Sequence, residues 1–90
     1  MIFEWDPQKA RSNASKHDVS FDEASTVFGD PLADSYDDPD HSKSERRFII
    51  IGHSDKNRLL FVSHTSNEKV VRIISAREVT SGERKEYEEE

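Results

Sequence analysis

The sequence contains no cysteine and no long run of apolar residues. The absence of cysteine excludes disulfide bonds, cysteine nucleophiles and thiolate metal sites, and it fits a reducing compartment. Because a helix needs about 20 consecutive apolar residues to cross a bilayer, no transmembrane segment is predicted. The first residues, Met1–Asp6, lack the basic and apolar regions of a secretory signal. We therefore expect a cytoplasmic protein without a membrane partner.

Glycine and apolar residues are also scarce. The 90 residues include only three glycines, and apolar side chains make up 32% of the chain. We therefore expect one domain, residues 1–90, with a small hydrophobic core and no glycine-rich phosphate loop. Aromatic residues make up 9%, an ordinary share for a folded protein, so disorder throughout the chain is not expected.

Acidic residues are abundant, and the formal net charge of −6 disfavours a nucleic-acid partner. The charge is unevenly distributed, however, because residues 47–77 contain six basic and only two acidic side chains. This basic centre has two interpretations. Its cations either keep sheet edges soluble or bind a phosphate-bearing ligand. Charge alone does not decide between them.

Two helices are predicted near the N-terminus, after a short apolar segment at residues 2–5. The first runs from Pro7 to His17, because Asp6 is a good N-cap and proline is favoured at the first helical position. The second spans residues 21–28 and begins with a capping box formed by Ser20 and Glu23.

The middle of the chain is rich in strand-forming segments separated by short turns. Such spacing predicts an antiparallel meander at residues 47–54, 59–66 and 70–75, with a weaker strand at 32–36 and an exposed loop at 37–44. A second capping box, Thr80 with Glu83, predicts a C-terminal helix over 81–89. The predicted fold class is α+β, with two N-terminal helices, an antiparallel three- to four-stranded sheet and a C-terminal helix.

Side-chain alternation along these strands allows several basic residues to share one face. If the faces align, an apolar floor is surrounded by Arg47, Arg58, His64 and Arg72. Guanidinium groups suit phosphate because they donate two parallel hydrogen bonds and stay charged, and an imidazole can move a proton near neutral pH. The alternative is a network of ion pairs between these cations and the acidic helices.

Lys16 and His17 end the first predicted helix. Cations there stabilise the helix dipole, and the alternative is that they extend the basic site. The four histidines show no metal-ligand spacing, so neither a zinc site nor any other cofactor is predicted. The acidic cluster at residues 37–41 is interpreted as an exposed loop rather than a divalent-cation site. No serine lies in a nucleophile elbow.

Five segments taken together resemble the BrnT toxin family. They are Phe3-Glu-Trp-Asp-Pro7 followed by Asn13 and Lys16-His17-Asp-Val-Ser-Phe21, then Phe28-Gly-Asp-Pro31, Glu45-Arg46 to Ile51-Gly52, Arg72-Ile-Ile-Ser-Ala-Arg77, and Glu83-Arg84 to Tyr87-Glu88. The resemblance covers nearly the whole chain in order. Asp18 replaces the family's usual glycine and Asp22 a glutamate, and the first exchange predicts a different backbone after His17.

The resemblance implies a RelE-like fold and a ribonuclease toxin of a bacterial type II toxin–antitoxin pair. Such a toxin inhibits translation by cleaving RNA without metal, through attack of a ribose 2′-hydroxyl on the adjacent phosphate. It also implies a BrnA-like antitoxin with a ribbon-helix-helix DNA-binding domain. The toxin–antitoxin complex is then expected to contact its promoter DNA only through the antitoxin. The alternative is a catalytically inactive relative that acts only as a co-repressor subunit.

The resemblance also raises the expectation that the basic residues contact RNA. Arg72 and Arg77 are expected to contact the phosphate and its transition state, and His17 and His64 to transfer protons. Phosphate binding is expected from Arg46 and Arg58, with Lys16 in a supporting position.

Overall fold

The structure is a computed structural model that describes residues 1–38 and 46–89. Within these residues the elements follow the order β1 (Ile2–Glu4), α1 (Pro7–His17), α2 (Phe21–Thr26), a 3₁₀ turn (Val27–Gly29), β2 (Asp34–Asp37), β3 (Phe48–His53), β4 (Leu59–Asn67), β5 (Val70–Glu78) and α3 (Ser81–Glu88). Most of the loop predicted at 37–44 lies outside the described residues.

The described strands form one five-stranded sheet in the order β1-β5-β4-β3-β2. The predicted meander is confirmed, because β3 pairs antiparallel with β4 and β4 with β5. The predicted all-antiparallel sheet of three or four strands is wrong, since β1 adds a parallel strand beside β5, with Ile2 opposite Val70. Three residues are too few to show an alternating pattern, and their partner lies at the far end of the sequence.

The ends of the helices follow from local hydrogen bonds. At the start of α1, a carboxylate oxygen of Asp6 accepts a hydrogen bond from the backbone N–H of Gln8 at 2.8 Å. At its end, Asp18 takes the left-handed conformation with φ 58°, and its N–H bonds to the carbonyl of Ala14. This is the conformation that glycine favours at a helix C-terminus. The exchange at Asp18 therefore does not require the different backbone that was predicted.

The two faces of the sheet are packed very differently. One face carries the main core under α1 and α2, formed by Val19, Phe21, Ala24, Val27, Ile50, Leu60, Val62, Ile73 and Ala76. The other face holds a smaller cluster, Ile49, Ile51 and Leu59, against which Phe61, Val79 and Tyr87 pack. No residue of α3 is buried. This second face is therefore only partly covered, at the end where β4 begins.

Asn13 fastens α1 to the edge of β5. Its side-chain amide donates to the carbonyl of Ala76 at 2.8 Å, and its carbonyl oxygen accepts from the N–H of Ala76 at 3.1 Å. Because β1 pairs only as far as Arg72, this stretch of β5 has no strand on that side. The buried side-chain amide of Asn13 takes the place of a neighbouring strand by pairing with the backbone of β5. This pairing fixes α1 alongside the second half of β5.

Candidate functional site

The strand register divides the predicted basic cluster between the two faces. His64 pairs with Ile73 and so lies on the face under α1 and α2, whereas Arg72 pairs with Thr65 and lies on the other. Phe48 pairs with His64, which places the preceding Arg47 on the face of Arg72. The predicted single surface of Arg47, Arg58, His64 and Arg72 is therefore wrong. Turn geometry and a bulge between Ser63 and His64 set this register.

Arg58 lies against the helices and neutralises a buried carboxylate. Its Nε donates to Glu23 at 3.0 Å, and its Nη2 donates to the carbonyl of Asp18 at 2.9 Å. The Glu23 side chain is only 2% exposed and also accepts from the Ser54 hydroxyl at 2.6 Å. These hydrogen bonds, that from Arg58 above all, lower the pKa of Glu23 despite its burial. The guanidinium is therefore committed to joining α2 to the sheet.

The carboxylate of Glu23 does not complete the predicted capping box. The Ser20 hydroxyl accepts from the N–H of Glu23 at 3.0 Å, but the described hydrogen bonds of the Glu23 side chain go to Arg58 and Ser54. The box at the start of α3 is complete, with Thr80 and Glu83 bonded in both directions. The short capping motif thus marks the start of both α2 and α3. Its glutamate bonds to Arg58 and Ser54 in α2, but to the backbone of the N-cap residue in α3.

Arg77 lies inside β5, opposite Phe61, and joins the sheet to α3. Its two terminal nitrogens donate to the two carboxylate oxygens of Glu83 at 2.8 and 2.9 Å. The guanidinium carbon also lies 4.2 Å from the centre of the Phe61 ring. Hydrogen bonds from Arg77 lower the pKa of Glu83, and the same pair raises the pKa of Arg77. This geometry holds the first turn of α3 against the sheet.

His64 is part of the hydrophobic packing and is only 5% exposed. Its ring lies between Phe28, edge-on with ring centres 4.8 Å apart, and Phe48, stacked at 5.9 Å. Burial lowers the pKa of His64, which keeps the imidazole neutral at pH 7. In this arrangement the ring is shielded from any ligand on the surface.

Arg47, Thr65 and Arg72 form a row across β3, β4 and β5, which we call the open sheet face. Arg72 is 45% exposed and pairs with Glu4 of β1 at 3.2 Å. Arg47 makes no ion pair with another described residue, and Thr65 lies between the two arginines. Exposed ion pairs contribute about 0–1 kcal/mol, so a phosphate can replace Glu4 at little cost. This face therefore offers the exposed guanidinium of Arg72 to an anion, with the half-buried Arg47 on the same face.

Lys16 and His17 meet β5 at a cleft on the edge of the sheet where α1 is attached. This α1 cleft has a volume of about 210 Å³ and is lined by Lys9, Ser12, Lys16 and His17 together with Ile74 and Ser75. Asn13 lies at its base, where it bonds to β5. Sequence reasoning missed Lys9, Ser12 and Ser75, although the spacing of Lys9, Ser12 and Lys16 already places them on one helical face.

Arg46 is exposed at the start of β3. It pairs with Asp37 at 2.9 Å, and its guanidinium carbon lies 5.6 Å from the centre of the Phe48 ring. Both partners of the ion pair are well exposed, so the side chain is accessible to a ligand. Arg46 thus lies close to β3, but it belongs neither to the open sheet face nor to the α1 cleft.

A groove between β2 and α3 has the opposite charge. It has a volume of about 260 Å³ and is lined by Asp34, Tyr36, Ile51, Glu83, Glu86 and Tyr87. Burial, with added effects of Glu83 and Glu86, raises the pKa of Tyr36. Residues 1–38 and 46–89 contain no group of three or more His, Cys, Asp or Glu side chains placed to hold a metal ion. In the same residues, no helix is long and apolar enough to span a membrane.

Comparison with known proteins identifies the family. The crystal structure of the Brucella abortus ribonuclease toxin BrnT matches with a TM-score of 0.67 and 19% identity, over 90% of this chain and 100% of that one. This likeness shows that the two chains share a fold. No curated protein matches the sequence at a significant level. A sequence model described as the ribonuclease toxin BrnT of type II toxin–antitoxin systems matches residues 5–83. The chain therefore belongs to the BrnT family of ribonuclease toxins.

Proposed function

We propose that this chain is an active endoribonuclease that needs no metal ion, and that it inhibits translation by cleaving RNA. Its membership of a ribonuclease toxin family supports RNA as the substrate class. The observation that carries the proposal is the open sheet face, where Arg47, Thr65 and Arg72 lie on the same face of the sheet and the Arg72 side chain is 45% exposed. Positive charge there can stabilise a phosphate on which negative charge is building up.

The proposed reaction is an internal transfer within the RNA strand. The ribose 2′-oxygen attacks the adjacent phosphorus, and the bond from phosphorus to the 5′-oxygen breaks. The products are a 2′,3′-cyclic phosphate and a 5′-hydroxyl, so no water or metal is consumed. We assign Arg72 to the phosphate oxygens and His17 to the transfer of the 2′-hydroxyl proton to the departing 5′-oxygen. Lys16 supports the bound strand from the α1 cleft.

The roles that we propose for the remaining predicted residues depend on the ion pairs and packing that hold their side chains. Arg58 and Arg77 each form a two-pronged ion pair with a glutamate, and displacing either would leave a partly buried carboxylate without its partner. We therefore propose structural roles for both, and for the enclosed His64. Arg46, whose ion pair is exposed, remains a proposed phosphate ligand.

Membership of this family implies an antitoxin partner. We propose a BrnA-like antitoxin with a ribbon-helix-helix domain that neutralises the toxin in the cytoplasm and makes all contacts to promoter DNA. The acidic groove between β2 and α3 fits this arrangement, because its carboxylates would repel the phosphates of DNA.

The test is cleavage of a defined RNA by purified protein in the presence of a chelator. We expect wild-type protein to produce a 2′,3′-cyclic phosphate, and a single 2′-deoxy substitution at the cleaved position to abolish that product. Arg72→Ala should lower the rate by about 10²–10³-fold, because one charged contact to the transition state is lost. Arg72→Lys is the control, because lysine keeps the positive charge but cannot donate two parallel hydrogen bonds from a planar group. This variant should retain part of the activity.

Intact RNA after incubation with folded wild-type protein would contradict the proposal. If that protein still bound its antitoxin tightly, the co-repressor role would be the better account. Arg72→Ala protein with full activity would leave ribonuclease activity standing but remove Arg72 from the site.

A further inference from the structure

We propose that the α1 cleft binds a phosphate of the RNA strand other than the one that is cleaved, an inference that rests on the proposed ribonuclease function. The ligand group is a phosphodiester held mainly by the ammonium groups of Lys9 and Lys16. Hydroxyl groups of Ser12 and Ser75 lie on the walls of the same cleft and are available as hydrogen-bond donors.

The charge of the cleft is the first observation. No acidic side chain is among the residues that line it, although the chain has 19 acidic and 13 basic residues. Among the described parts of the chain, neither Lys9 nor Lys16 has a carboxylate within ion-pair distance. The groove between β2 and α3, by contrast, is lined by the carboxylates of Asp34, Glu83 and Glu86. A concave surface with only positive charge attracts anions and concentrates them locally.

Helix electrostatics explain only part of this charge. Lys16 and His17 lie in the last turn of α1, where cations stabilise the helix dipole. Lys9 lies in the first turn, where the dipole disfavours a cation and where α1 has no acidic residue. The helix dipole therefore does not account for Lys9 on the same helical face as Ser12 and Lys16, whereas both lysines would attract a bound anion.

The position of the cleft continues the path of an RNA strand. Ile74 and Ser75 lie in its wall and follow Arg72 by two and three residues, about 7–10 Å along β5. Lys9 and Lys16 are about 10 Å apart along α1. A single strand whose phosphate meets Arg72 on the open sheet face can thus pass the edge of β5 and reach the helix. Ammonium groups act as point charges without a fixed geometry, so this contact would bind RNA without selecting its sequence.

The test is the salt dependence of binding to a short 2′-O-methyl RNA oligonucleotide, which the enzyme cannot cleave. For single strands, the slope of log K against log salt is about −0.7 per phosphate contact. Lys9→Gln with Lys16→Gln should therefore reduce the magnitude of the slope by about 0.7, because the one phosphate contact of the cleft is lost, and Lys9→Gln alone by about half as much. Lys9→Arg should keep the wild-type slope. Lys85→Gln is the matched control, since this exposed lysine of α3 lies outside the cleft.

The outcomes separate this inference from the proposed function. Unchanged slopes in the Lys9→Gln and double variants, or an equal change in Lys85→Gln, would overturn the cleft as a phosphate site even if the wild type cleaves RNA. Absence of binding by the wild type would overturn it as well. Binding that depends on Lys9 and Lys16, with no cleavage of ordinary RNA, would support the cleft and refute the proposed nuclease.

Discussion

At the scale of single residues, the basic side chains of this protein fall into two groups. Arg58 and Arg77 are each held by a glutamate through two nitrogens of the guanidinium, whereas Arg72 is exposed and the half-buried Arg47 makes no ion pair with another described residue. The sequence alone cannot separate these groups, because all four are arginines beside or within strands. Of the glutamates that distinguish them, Glu23 is 35 residues from Arg58 in the sequence, and Glu83 belongs to a capping box.

Removal of Arg58 should strongly destabilise the fold. Arg58→Ala leaves the nearly inaccessible carboxylate of Glu23 without its cation, which costs about 3 kcal/mol in the free energy of unfolding. Replacing both residues, as Glu23→Leu with Arg58→Met, removes the charge as well and should recover most of that loss. Urea unfolding at neutral pH measures both variants. Equal losses in the single and double variants would show that the ion pair matters only through its packing.

His64 should make the protein sensitive to mild acid. Because burial lowers its pKa in the folded state, the unfolded state binds the proton more readily, and the free energy of unfolding falls as the pH drops below the ordinary histidine value of about 6.5. The stabilising contribution is fully present above that value. His64→Leu should show a smaller decrease between about pH 7.5 and about pH 5.5. Urea unfolding at the two values tests this, and identical decreases in both proteins would count against it.

At the scale of elements, local signals predict the helices better than the sheet. Asp6 with Pro7, Ser20 and Thr80 mark helix starts that the structure has at the same places. The residue types predicted which segments form strands, but they did not predict how the strands pair. The register between β3, β4 and β5 depends on turn geometry and a bulge, and β1 depends on a partner almost 70 residues away. This is why the sequence predicted one basic surface, whereas the structure divides its residues between the two faces of the sheet.

The attachment of α3 should depend on Arg77. No residue of this helix is buried, and its described anchors are the ion pair from Glu83 to Arg77 and the packing and hydroxyl contact of Tyr87. We expect Arg77→Ala to raise amide hydrogen exchange across 81–88 by about tenfold, since loss of one such ion pair is worth about 1–2 kcal/mol. Exchange in β3 and β4 should change little. Arg72→Ala is the control, and an equal effect in that variant would contradict the assignment.

At the scale of the whole molecule, the charges are arranged by surface rather than by segment. The acidic groove lies between β2 and α3, whereas the open sheet face and the α1 cleft lie toward β5 and α1. A net charge of −6 therefore coexists with a cleft that is lined by basic and by no acidic side chains. The sum of charges, taken alone, would have excluded a partner that the family membership implies.

The amide of Asn13 also has a consequence for how separate molecules meet. An unpaired strand edge is a template on which a second chain can add its own strand, and such additions lead to aggregates. Asn13 occupies the hydrogen-bonding groups of Ala76 on one outer side of the sheet. On the other side, β2 places aspartates at both of its ends, Asp34 and Asp37. The second half of β5 and the strand β2 thus each carry an obstacle to strand addition, which disfavours self-association through these two segments.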